Sequence, residues 1–84
     1  MMATVIIHTT AWCPYCTRAK QLLDSKQVTY TEVDVSEAAV RAEMTALTGA
    51  TSVPQLIING QSTGGCDELY ALERSGELDK LLSH

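Results

Sequence analysis

The chain has 84 residues, 45% of them hydrophobic and 19% charged, with a net charge of −4 at neutral pH. This length is expected to hold a single domain over residues 1–84 that buries roughly 60–65% of its unfolded surface, which excludes a deep multi-substrate cavity. The balanced composition excludes disorder, and the acidic balance argues against a nucleic-acid binder, which needs clustered Lys and Arg.

The start, Met1-Met2-Ala3-Thr4-Val5-Ile6-Ile7, has no charged leader region and no small-residue cleavage site. No run approaches the ~18 apolar residues of a membrane helix. A cytoplasmic protein with no membrane partner is expected, in a reducing compartment. Thr4 to His8 is a β-branched run and predicts a buried strand. Thr9 to Cys13 reads as loop. From Pro14 to Lys26 the spacing turns helical, with Cys16, Ala19, Leu22 and Leu23 on one face. Pro14 suits a first helical turn, where a missing N–H has no partner to lose.

Val28 to Val35 alternates, with Val28, Tyr30, Val33 and Val35 apolar, and predicts a second strand. Asp34 or Ser36 is placed to cap the next helix, which runs to about Leu47 with Val40, Met44 and Leu47 on one face and Gly49 beyond its end. Pro54 to Asn59 predicts a third strand, Asn59-Gly60 a hairpin turn, and Gln61 to Thr63 a short fourth strand. Gly64-Gly65 ends that strand. Cys66 to Arg74 predicts a third helix, apolar at Leu69, Tyr70 and Leu72; Gly76 interrupts it, and Leu78, Leu81 and Leu82 mark a last short helical piece. Glu73, Glu77 and Asp79 read as a solvated acidic face.

The order β-α-β-α-β-β-α predicts an α/β fold with a small four-stranded mixed sheet flanked by helices. The βαβ start requires parallel strands joined by a right-handed crossover, and the hairpin adds an antiparallel pair. Cys13-Pro14-Tyr15-Cys16 then sits at the carboxyl end of the first strand, the edge where open α/β sheets bind ligands.

Three cysteines are an odd count for a paired secretory framework, and two of them lie three positions apart. Cys13 precedes a first helical turn, whose free N–H groups and dipole favour an anion. Cys16 lies one turn on and can close a disulfide with it. Residues 1–27 carry a charge of +2 and the remainder −6, so the thiols lie in the positive part of an acidic chain. Cys13 is the expected nucleophile and Cys16 the resolving thiol. The alternative is zinc, since C-x-x-C is half of a zinc knuckle, with Cys66, His8 and His84 as the only further ligands. Spacing and helix context favour redox chemistry over metal.

Cys13-Pro14-Tyr15-Cys16, Ser52-Val53-Pro54 before a strand, and Gly64-Gly65-Cys66-Asp67 opening a helix together resemble a dithiol glutaredoxin, of the short bacterial class with a third cysteine after the Gly-Gly pair. The resemblance spans essentially the whole chain. It implies a thioredoxin-like fold, no bound cofactor, and glutathione as co-substrate in the reduction of glutathione–protein mixed disulfides and protein disulfides. It implies partners accordingly: glutathione, glutathionylated or disulfide-containing proteins and the glutathione reductase system, with the chain a monomer. It also implies a cis Pro54, an extended peptide paired with the Val53 backbone, and the γ-glutamyl carboxylate on the N–H groups of Cys66 and Asp67, a helix N-terminus that suits an anion. The Asp67 side chain would take the γ-glutamyl ammonium or cap the helix. Tyr15, Thr51, Val53, Pro54, Gln55, Gly65, Cys66 and Asp67 are thus the implied glutathione-binding residues. Thr10 and Ala50 stand where similar glutaredoxins often carry basic groups, which leaves Thr51, Gln55 and Arg18 for the glycine carboxylate.

Two further functions are weighed. Some glutaredoxins hold a [2Fe–2S] cluster between two protomers and two glutathiones, which Pro14 disfavours; Trp12 before Cys13 resembles the start of a thioredoxin site and suggests a thioredoxin-reductase-dependent reductant. Trp12 reads either as a substrate-facing platform or as an edge-packing aromatic. Tyr15 is expected to stack on glutathione or gate the site, His8 to be a core-edge histidine, and Cys66 to pack beside the glutathione site rather than act as a third redox thiol.

Overall fold

The β-branched run near the N-terminus forms the central strand of the sheet. In the computed structural model, which describes residues 3–83, it spans Val5–Thr9 (β1) and lies between two neighbours. The remaining elements are α1 (Pro14–Ser25), β2 (Thr31–Asp34), α2 (Ala38–Thr48), β3 (Gln55–Ile58), β4 (Gln61–Gly64), α3 (Cys66–Ser75) and α4 (Glu77–Leu82). The strand order is β2-β1-β3-β4, with β1 and β2 parallel and both other pairings antiparallel. This is the predicted mixed sheet.

Register sets the core. Val5 faces Ile58 and Ile7 faces Leu56 across β1 and β3, so one sheet face presents four apolar side chains in a block. Ala19, Leu22 and Leu23 of α1, Leu69 of α3 and Leu78 of α4 close over it. Cys16 shares the buried face of α1, as its spacing requires. Asn59, at φ 53° in the hairpin, ties this layer to the strands: its side chain accepts from the Thr4 N–H at 3.1 Å and donates to the Leu81 carbonyl at 3.0 Å.

Four expectations need correction. The second strand is only four residues long, because its pairing with β1 runs from Ile6 opposite Thr31 to Thr9 opposite Asp34; Val28 and Tyr30 pack against the core from the preceding loop instead. Neither Asp34 nor Ser36 caps α2. Glu37 occupies the cap position without a side-chain bond, and the Asp34 carboxylate accepts from the Ser36 N–H at 2.8 Å and its hydroxyl at 2.6 Å. On α2 only Met44 is buried, while Leu47 is 66% exposed. Of the acids expected on a solvated face, Glu77 and Asp79 are exposed but Glu73 is half-buried, and Glu73 and Asp79 pair with the Lys26 ammonium at 2.7 and 2.9 Å, joining the end of α1 to α3 and α4.

No described helix is long and apolar enough to cross a membrane. His84, one of the candidate metal ligands, and Met1 and Met2 lie outside the described residues.

Candidate active site

The loop after β1 delivers Cys13 to the N-cap position of α1, with Pro14 opening the first turn. The Cys13 sulfur accepts from the Cys16 backbone N–H at 3.3 Å. Its thiol donates to the Val53 carbonyl at 3.8 Å, across 40 positions of sequence. Cys13 is half-buried and Cys16 fully buried, and both are free thiols. The accessible sulfur therefore sits at the positive end of a helix with an N–H aimed at it, which stabilises negative charge there.

Burial, then the contact with Cys13, pushes the Cys16 thiol up to about 11. The Thr10 backbone and the Lys20 ammonium oppose that rise. Lys20 is itself fixed, donating at 2.9 Å to a Glu32 carboxylate oxygen that also accepts from the buried Thr9 hydroxyl at 2.7 Å. The Thr9 hydroxyl and the Lys20 ammonium hold the Glu32 carboxyl below its usual range. The sequence reading missed this bridge, which spans β1, β2 and α1 and leaves no local signature.

A groove of about 180 Å³ opens beside the thiols, lined by Tyr15, Ser52, Val53, Pro54, Gln55, Gly65, Cys66, Asp67 and Glu68. It brings seven of the eight implied glutathione-binding residues together. The eighth, Thr51, is not among the lining residues; it is exposed, and its carbonyl accepts from the Arg41 guanidinium at 3.3 Å. The same guanidinium donates to the Val35 carbonyl at 3.4 Å, so α2 holds the loop entering the groove. The Val53–Pro54 bond is cis.

The far wall of the groove is the start of α3. A Cβ on Gly65 would meet the Pro54 carbonyl oxygen at 2.9 Å, so this close approach of two backbones requires glycine. The cap is Glu68, whose carboxylate accepts from the Gly65 N–H at 2.7 Å, and not Asp67, which is exposed at the helix start. A Glu three positions after the N-cap was a readable signal. Cys66 is buried against the groove, and burial raises its thiol while Arg18 works the other way. Arg18 lies over the Tyr70 ring at 5.4 Å.

Tyr15 is 54% exposed and lines the groove. Trp12 is 92% exposed and does not pack on the edge of the fold. His8 is buried with Nδ1 3.2 Å from the Gln55 carbonyl. Among the described residues, no three His, Cys, Asp or Glu side chains cluster so as to hold a metal ion.

This chain is similar to known proteins in sequence and fold. The glutaredoxin family profile matches residues 5–63. The chain belongs to the glutaredoxin family. It is 53% identical over 83 residues to "Glutaredoxin" of Pseudomonas aeruginosa, covering 98% of this chain and 99% of that one. It is 52% identical over 82 residues to "Glutaredoxin 3" of Escherichia coli K12, covering 96% and 99%. Among solved structures, a glutaredoxin from Brucella melitensis superposes with a TM-score of 0.85 at 49% identity, over 96% of this chain and 89% of that chain. A buckwheat glutaredoxin–glutathione complex gives a TM-score of 0.88 at 29% identity, over 96% and 77%. The fold is thioredoxin-like, and the activity that family membership and the Cys13–Cys16 pair support is thiol–disulfide oxidoreduction. These findings do not favour the iron–sulfur or thioredoxin-reductase readings.

Proposed function

We propose that this single domain is a glutathione-disulfide oxidoreductase that reduces glutathione–protein mixed disulfides and protein disulfides. One observation carries the reading: the groove beside Cys13 is walled by the cis-proline loop on one side and the N-terminus of α3 on the other. Glutathione is an extended tripeptide with a carboxylate at each end. Its γ-glutamyl carboxylate suits the free N–H groups of Cys66 and Asp67, its backbone suits Val53, and Tyr15, Pro54, Gln55 and Gly65 complete the walls, with Thr51 at the entrance. The buckwheat relative in complex with glutathione supports the assignment.

In this reading the Cys13 thiolate attacks the glutathionyl sulfur of a mixed disulfide. A Cys13–glutathione disulfide forms and the protein thiolate leaves. A second glutathione then attacks the bound glutathionyl sulfur, releasing oxidised glutathione and the Cys13 thiolate. For a protein disulfide, Cys16 resolves the intermediate instead. Glutathione reductase would regenerate glutathione, with the protein acting as a cytosolic monomer.

The test couples oxidised glutathione to NADPH consumption by glutathione reductase. Cys13→Ser should abolish turnover on every disulfide. Cys16→Ser should keep deglutathionylation and lose protein-disulfide reduction. Equal loss in both variants on a glutathione mixed disulfide would refute the division of labour.

A further inference from the structure

Trp12 is the chain's one tryptophan, is 92% exposed, and immediately precedes the nucleophile. A single exposed apolar side chain is ordinary on a protein surface. The position of this one is not, because the chemistry of the site brings a second chain to it.

Reduction of a protein disulfide passes through a covalent bond between Cys13 and a partner cysteine. Disulfide geometry then holds the two Cα atoms about 4.4–6.8 Å apart. The Trp12 Cα lies about 3.8 Å from that of Cys13 along the backbone. The partner's residues beside its cysteine must therefore pass within reach of the indole. Trp12 is not among the residues lining the groove, so a tripeptide seated there leaves the indole free for the partner. The surrounding segment is apolar and cationic: no Asp or Glu occurs before Asp24.

We propose that Trp12 is a specificity-determining residue that docks an apolar side chain flanking the reactive cysteine of a polypeptide disulfide. The proposal rests on the oxidoreductase reading of Cys13 and Cys16. The Cys13 thiolate attacks one partner sulfur, the Cys13–partner bond forms, and the other partner sulfur leaves as a thiolate and takes a proton from water. The Cys16 thiol then attacks the Cys13 sulfur, its proton passing to the departing partner sulfur; the Cys13–Cys16 disulfide closes and the first partner sulfur leaves as a thiol. The partner gains two electrons and the enzyme loses two. The indole takes no part in bond exchange; it lowers the free energy of the mixed disulfide and of the transition states flanking it.

The experiment compares two peptides closed by the same disulfide, one with Leu and one with Gly beside the attacked cysteine, and the small disulfide cystine. Wild-type protein should favour the Leu peptide about tenfold in kcat/KM, as a buried aromatic contact of ordinary strength gives. Trp12→Ala should abolish that preference, and Trp12→Phe should retain most of it. In the Cys16→Ser protein, trapped as a mixed disulfide, Trp12 emission should shift to shorter wavelength with the Leu peptide and not with the Gly peptide. An equal Leu preference in wild type and Trp12→Ala, or an unshifted emission in the Leu complex, would overturn the proposal. Failure of wild-type protein to reduce cystine would instead overturn the oxidoreductase reading beneath it, so the two failures are separable.

Discussion

The backbone N–H of Cys16 points at the sulfur of Cys13 from 3.3 Å, while the Cys16 side chain turns into the core. One residue thus supports the nucleophile with its backbone and withholds its own thiol from solvent. The helix imposes this division. The N-cap side chain faces the free N–H groups of the first turn, and the residue three positions later falls on the buried face.

Burial of Cys16 has a consequence for alkaline stability. Its thiol is raised from 9.0 to about 11 in the fold, so the folded state holds the proton more tightly than the unfolded state. The stabilisation is complete below the unfolded value and is lost as pH rises through the folded one. The decline therefore runs between about pH 9 and 11. Urea unfolding across that range should show a decline in stability that is much shallower in Cys16→Ser. An identical decline in both proteins would show that Cys16 does not titrate as described.

Gly65→Ala should damage fold and groove together. The added methyl meets the Pro54 carbonyl at 2.9 Å, and backbone on both sides leaves little room to yield. Overpacking of this kind costs roughly 1–3 kcal/mol. Thermal unfolding should report the loss, and glutathione affinity measured by calorimetry should fall as the groove wall shifts. Unchanged stability and affinity would mean that the two backbones part freely.

The face of α2 can be checked by a pair of variants. Met44 is fully buried, and Met44→Ala should cost about 2–5 kcal/mol through lost transfer energy and a cavity. Leu47 is 66% exposed, and Leu47→Ser should stay within about 0.5 kcal/mol, as surface changes do. Chemical denaturation midpoints compare the two directly. A similar loss at both positions would restore the amphipathic stripe that periodicity alone suggested.

Periodicity misjudged α2 because a helical stripe names candidates for burial but not the width of the surface it meets. The helix meets the sheet mainly through the short strands β3 and β4, and along it Met44 is buried while Leu47 stays in water. The same limit hid the role of Lys26. A basic residue ending one helix and two acids more than forty positions later look like separate solvated charges until packing brings them within 3 Å.

What the sequence determined by itself was local: the order of the elements, the helix that spaces Cys13 and Cys16 one turn apart, the Asn59-Gly60 hairpin, and the glycine pair opening α3. Each follows from backbone geometry acting over a few residues. Tertiary structure alone decided which distant groups meet. Val53 reaches the Cys13 thiol, Gly65 abuts Pro54, Arg41 holds Thr51, and Thr9, Glu32 and Lys20 lock together beside Cys16. Those contacts depend on strand register and on helix packing over the sheet, which a linear pattern does not encode.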